Sequence, residues 1–356
     1  MRLLLITFLV VWATICSGQV ITGFSGDIGN GSQLSIQGSG FGPKEQSSPL
    51  IWDNVESGEF SSAWSSTNHL SLSNSSRHPS SHYSGTINFQ GSGGDGSYGY
   101  GTAPGSPLSE RWFVQYWFKL DTNFDWGTST YGNGDENLAN VKIFRMWNPG
   151  SIDENFVIAL HGFVGSAPYS SEYITDPGGG RTLHGYMDDW EKGVWHCLQF
   201  EYKESSVNTQ DGTIRVWFDG DLALEDNTIK TREDYSVLKR PFIVGFYDSW
   251  NDDNSDRDDV YFDDFYVDNT WARVEIGNAP VYSQCTHREI QIPNSWNDDS
   301  ISINAQFGSF PESADLYLFV VDGNGNASPG YLARGDGEPD PGPPGEPGQP
   351  TRISGP

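Results

Sequence analysis

Gly193-Val-Trp-His-Cys-Leu-Gln-Phe-Glu-Tyr-Lys203, followed by Asp211-Gly-Thr-Ile-Arg-Val-Trp-Phe-Asp-Gly220, is the stretch on which the fold turns. In the second segment Ile214, Val216 and Phe218 alternate with Arg215 and Trp217, the period of a strand with one buried face. Asp219-Gly220 supplies tight-turn residues and closes that strand into a hairpin. The alternation recurs elsewhere. In Trp112–Leu120, Trp112, Val114, Tyr116, Phe118 and Leu120 oppose Phe113, Gln115, Trp117 and Lys119. Phe156, Ile158 and Leu160 oppose Val157, Ala159 and His161, and Phe242, Val244 and Phe246 oppose Ile243, Gly245, Tyr247 and Ser249. No long window repeats apolar residues at helical spacing, and Gly, Asn, Asp and Ser clusters separate short segments. Each apolar set is expected to face a sandwich interior.

The chain has 356 residues, 47 acidic and 20 basic, for a net charge of -27. No basic patch exists to displace counterions from phosphates, so nucleic acid is excluded as a partner. Met1–Gly18 reads as a secretory signal: Arg2 is the positive start, Leu3–Ile15 the apolar run, and Ser17-Gly18 offers small residues for cleavage near Gln19. A lipid-modified Cys16 is the competing reading, against which the bulky Ile15 stands. No other segment approaches membrane length, so a secreted protein without membrane insertion is expected. Two cysteines follow the signal, Cys197 and Cys285. In an oxidising compartment they are expected to form a disulfide, two buried free thiols being the alternative.

The opening stretch resembles the paired central strands of concanavalin A-like lectin/glucanase domains, over about Trp52–Asn269. That resemblance implies a two-sheet jelly-roll sandwich in a superfamily of lectins, glycanases, polysaccharide lyases and non-catalytic modules. The flanks resemble another family. Ile21-Thr-Gly-Phe-Ser-Gly with Gln33-Leu-Ser-Ile-Gln-Gly-Ser-Gly-Phe-Gly42 is similar to the opening of an IPT/TIG immunoglobulin-like domain. Trp296-Asn-Asp-Asp-Ser-Ile-Ser-Ile303 with Leu316-Tyr-Leu-Phe-Val-Val-Asp-Gly-Asn-Gly-Asn-Ala-Ser328 is similar to its closing half. Neither piece has strands enough for a sandwich alone. The expected organisation is therefore all-β: signal 1–18, an immunoglobulin-like domain split into 19–48 and 278–333, and a jelly roll 49–277 inserted in it. Two unrelated extensions are the alternative. The Gly/Pro-rich tail 334–356 reads as a polyproline-type linker.

The residues opposite the apolar sets include Gln115, Trp117, Arg145, Trp147, His161, Arg215, Trp217 and Tyr247. Rings that stack on pyranose faces and planar donors that grip hydroxyls or carboxylates make this the composition of a sugar groove. Packing under loops is the competing reading. Alginate-type lyases of this fold, which the layout resembles, neutralise a uronate carboxylate with a cation or amide, remove the C5 proton with His or Tyr, and protonate the leaving oxygen with Tyr. Carried over, Arg145, His161 and Tyr247 are the catalytic candidates. Gln115, Trp117, Trp147, Arg215 and Trp217 are the ligand-binding ones. The lyases' Arg-Glu-Arg strand and Gln-Ile-His triplet are not reproduced, and a retaining glucanase's Glu-x-Asp-x-x-Glu strand is absent.

Resemblance to jelly-roll sugar-binding modules also implies a structural calcium ion held by Asp53, Glu56, Asp264 and Asp263. Asp252, Asn254, Asp256 and Asp258 have calcium-loop spacing, with Asp263 at the closing position, but Arg257 stands where the loop requires Gly. The expected function is a secreted polysaccharide-binding or adhesion protein with cell-surface or matrix partners. A lyase acting by β-elimination and a structural subunit of an extracellular matrix or appendage are the alternatives.

Overall fold

The computed structural model describes residues 18–67, 70–75, 82–90, 98–102, 109–124, 138–148, 151–163, 168–174, 191–232, 240–247 and 256–335. Along them run β1 (Val20–Ser25), β2 (Gln33–Ser39), β3 (Ile51–Asp53), β4 (Ser71–Ser73), β5 (Ser84–Gln90), β6 (Tyr98–Thr102), β7 (Arg111–Leu120), β8 (Leu138–Asn148), β9 (Ser151–Phe163) and β10 (Pro168–Ile174). They continue with β11 (His196–Lys203), β12 (Gly212–Phe218), β13 (Asp221–Ile229), β14 (Arg240–Tyr247), β15 (Asp256–Asp268), β16 (Arg273–Gly277), β17 (Arg288–Trp296), β18 (Ser300–Asn304), β19 (Leu316–Val321) and β20 (Tyr331–Arg334). One 3-10 turn, Tyr282–Gln284, is the sole helical element among the described residues. The chain is all-β and antiparallel, as the alternation requires.

Two sheets form the larger sandwich. One runs β10-β9-β8-β14-β6, the other β13-β12-β11-β7-β15-β5-β4 with β3 beside β15. The expected sets Trp112, Val114, Tyr116, Phe118, Leu120 and Ile214, Val216, Phe218 all enter one core with Phe144 and Met146 of β8. Phe144 meets Phe200 of the facing sheet at 4.0 Å between ring centroids. Each such side chain contributes roughly 1.5–3 kcal/mol on burial.

The chain's ends build the smaller sandwich. β1 pairs β2, β2 pairs β18, and the order continues β17-β16-β19-β20. Ile21, Leu34 and Ile36 from the start share a core with Val274, Ile276, Ile301, Ile303, Leu316 and Leu318 from the end. β17 serves both halves: Gln291 pairs with Val274 of β16, whereas Ile292 pairs with Asn304 of β18. β16, inside the range 49–277 expected for the jelly roll, belongs here, because Val274 and Ile276 point into this core.

The two sandwiches share a polar, buried junction. The face of β7 and β11 away from the jelly-roll core carries Phe113, Gln115, Gln199 and Glu201, all 2 % exposed or less. β16 and β17 cover it with Arg273, Glu275 and Arg288. Arg273 donates to Glu275 at 2.6 Å, to Glu201 at 2.8 Å and to the Tyr282 hydroxyl at 2.9 Å, and stacks over Phe113. Arg288 donates to the Gln199 side-chain oxygen at 2.8 Å, and Gln199 donates to Gln115 at 2.7 Å. Buried charges persist where paired and hydrogen-bonded, and these are.

The expected disulfide is not formed. Cys197 and Cys285 are both buried free thiols. The Cys285 thiol donates to the Ala279 carbonyl at 3.4 Å, and burial pushes its pKa up, which suits an inert buried thiol.

Candidate functional site

The eight candidates for a sugar groove do not share one sheet. Gln115, Trp117, Arg215 and Trp217 lie on β7 and β12 of the larger sheet, whereas Arg145, Trp147, His161 and Tyr247 lie on β8, β9 and β14 of the five-stranded one. The first group belongs to the face that meets the smaller sandwich. Gln115 is fully buried against Gln199, Trp117 is 6 % exposed with His287 5.4 Å from its ring, and Arg215 pairs with Glu201 and Glu225 over Trp271. A mixed aromatic and polar composition suits a junction between folded units as well as it suits a sugar.

Register assembles the second group. Antiparallel partners share a face, and Phe144 and Met146 mark the core side of β8. Their partners Ile158 and Phe156 on β9 share that side, so Val157, Ala159 and His161 take the other. On that outer side His161 stands opposite Asn140 of β8 and Tyr169 of β10, and Arg145 opposite Val157 and Phe242. A register shift between Lys142 and Phe144 puts Lys142, opposite Ala159, on the same side. Trp147 stands opposite Asn155 and Arg240.

β14 departs from the expected parity. Phe242, expected inside, is opposite Arg145, whereas Ile243 is opposite core-facing Phe144. A second shift, between Ile243 and Phe246, restores the pattern, so Tyr247 stands opposite Tyr98 on the outer side. β14 runs antiparallel to β8, which carries Tyr247 toward the Asn140 and His161 end. Arg145 is four residues from the level of His161, about 13 Å at ~3.3 Å per residue. The register therefore sets the His161, Asn140 and Tyr247 positions toward one end of the sheet, with the Arg145 and Trp147 positions farther along. Asn140 and Lys142 were not singled out from the sequence; only their cross-strand partners mark them.

The register-paired positions of this face include the cations Lys142, Arg145 and Arg240, and Asp153 of β9 is two residues along the strand from Asn155.

The carboxylates expected to hold calcium have other partners. Asp53 accepts from the Val55 and Ser61 amides at 3.0 and 2.8 Å and from the Trp64 indole at 2.7 Å. Glu56 accepts from the His82 and Tyr83 amides. Asp263 is buried on β15 and accepts from the Asp264 amide at 2.9 Å; Asp264 takes φ +50° where the β15–β7 register shifts. Among the described residues no three His, Cys, Asp or Glu side chains converge on a metal position. Asp252 and Asn254 of the second candidate loop lie outside the described residues. The bonds it accepts make Asp53 a clasp on the chain from Val55 to Trp64. Asp53→Ala strands its donors and is expected to lower stability by about 2–4 kcal/mol, read from urea midpoints.

No helix among the described residues is long and apolar enough to cross a membrane. No family model matches the chain, and no curated protein sequence does. Among solved structures it is similar to the endo-β-1,4-glucuronan lyase of the fungus Trichoderma reesei, at 17 % identity and a TM-score of 0.45 over 63 % of this chain and 97 % of that one. A marine alginate lyase from Aplysia kurodai aligns at 15 % identity and 0.40, over 56 % and 87 %. The globular domain of T. cruzi calreticulin aligns at 11 % and 0.38, over 62 % and 88 %. Likeness at this level decides no activity.

Proposed function

We propose that this chain binds an anionic, uronate-containing polysaccharide on the outer face of its five-stranded sheet and cleaves it by β-elimination. The observation that carries the reading is the register of the sheet: it sets the Lys142, Arg145 and Arg240 positions along one run of paired strands, beside the cross-strand pair His161 and Asn140. A polyanion needs a cationic track on so acidic a protein. The secretory-type opening at Met1–Gly18 supports an extracellular setting.

In this reading the Asn140 amide, with Lys142 beside it, meets the carboxylate of the reacting uronate and stabilises charge developing on it. That lowers the barrier to removing the C5 proton, which His161 takes as base. The C5–H electron pair forms the C4–C5 double bond, the C4–O bond breaks, and Tyr247 protonates the leaving oxygen. Arg145 and Trp147, farther along, hold a neighbouring sugar by its carboxylate and ring face. Non-catalytic binding is the second reading, favoured by the missing Arg-Glu-Arg strand: Asn140-Val-Lys-Ile-Phe-Arg-Met-Trp147 stands in its place. Incubation with alginate, polyglucuronate and pectate while following the absorbance of the unsaturated product decides between them. A sustained rise is expected with at least one polymer. Retention on a polymer column with no rise on any of them would leave binding alone.

A further inference from the structure

We propose that the cleft between the two sandwiches, lined by Trp117, Trp195, Asp219, His287 and Arg288, is a second saccharide site that takes one pyranose ring of a polysaccharide. The cleft holds about 150 Å³ and lies on the side of the larger sheet away from the jelly-roll core, hence across the sandwich from the five-stranded sheet. Its location is independent of the proposed function; the choice of polysaccharide as ligand rests on it.

The walls combine what a sugar ring needs: indole surface for its C–H face and fixed polar groups for its hydroxyls. Both kinds of wall are held in place before any ligand arrives. Trp195 follows Gly193, which takes φ +80° and donates its amide to Leu120 at 2.8 Å. Lys119 lies over the Trp195 ring at 5.0 Å and the Tyr261 ring at 4.7 Å, and donates to Ser75 at 2.6 Å. The indole is thus pinned by a cation, not by burial in a core. Asp219, its side chain 40 % exposed, accepts from the Cys197 amide at 2.7 Å and is bonded to His196 at 2.6 Å. A carboxylate offers about four lone-pair directions, so acceptor capacity remains for a sugar hydroxyl. His287, 24 % exposed, is tied to Glu289 at 2.8 Å, and Arg288 is anchored on the Gly220 carbonyl at 3.1 Å. Walls fixed in advance lower the entropy lost on binding.

Affinity electrophoresis through gels containing alginate, polyglucuronate or a neutral β-glucan tests the site. Wild type is expected to be retarded in at least one gel. Trp195→Ala should weaken association at this cleft by roughly tenfold, the loss of one stacked ring, and so lower total retardation to what the far face alone gives, while Trp195→Phe keeps most of it. Arg145→Ala on the far face should lower retardation separately, and, because the two sites hold polymer independently, the double variant should lose the retardation that each single variant keeps. Retardation of Trp195→Ala equal to wild type, with Arg145→Ala impaired, overturns the second site and leaves the proposed function standing. Impairment of Trp195→Ala alone supports the second site and counts against the far face. A wild type that no gel retards removes both. If Trp195→Ala does not fold, His287→Ala at the rim carries the same expectation, and unchanged retardation of that variant overturns the proposal.

Discussion

Replacing His161 with Ala should reduce turnover of the responsive polyuronate by roughly 10²–10⁴-fold, the range of one positioned acid–base group, while binding to the same polymer changes little. The separation follows from the sheet. His161 is paired across strands with Asn140 and Tyr169, but Arg145, to which the proposed function gives a neighbouring sugar, sits about 13 Å away at ~3.3 Å per residue. The affinity-bearing and proton-transferring positions are thus distinct, and KM should move far less than kcat. Asn140→Ala should likewise lower kcat, because the carboxylate loses its partner as charge develops on it. Steady-state rates on the polymer and retention on an immobilised form of it measure the two quantities. Full turnover in His161→Ala would remove the assigned base, and equal losses of affinity and rate would make the residue a binding one.

Arg273→Ala should lower stability by about 3–5 kcal/mol at pH 7, the effect of removing one partner from a buried ionic network. Glu201 and Glu275, both fully buried, would each lose a donor, at 2.8 and 2.6 Å, leaving Arg215 on Glu201 and Arg288 beside Glu275. For a chain of this size the melting temperature should fall on the order of 10 °C. The pH dependence gives a second signature. Burial pushes the Glu275 carboxyl up, but Arg273 and Arg288 together pull it below the usual carboxylate range. A depressed folded pKa contributes stability above the unfolded value of about 4.3, lost as the pH falls through the folded value. In Arg273→Ala the largest downward influence is gone while Arg288 remains, so the carboxyl is held less far down and the variant loses less stability on acidification than wild type. The gap from wild type is expected to be widest near neutrality and to narrow as the pH falls through the carboxylate range. Urea midpoints across pH 2.5–8 measure it, and a constant gap would show that the lost contact with Phe113, not the charge, was at work.

Alternation alone determined the all-β class and the interior sets on β7 and β12. A period of two is local, and Trp112 to Leu120 and Ile214 to Phe218 repeat it without a break. The same local signal picked out Arg145, His161 and Tyr247, whose strands β8, β9 and β14 pair within one sheet. What covers an outer face is not local. Phe113, Gln115 and Trp117 are buried because strands more than 150 residues later fold back over them, and no residue within β7 records that. Two irregular pairings, at Lys142/Phe144 and Ile243/Phe246, exchange inside for outside in mid-strand. Each comes from one extra residue accommodated against a partner strand, so Asn140, Lys142 and the true place of Phe242 became legible only once the strands were paired.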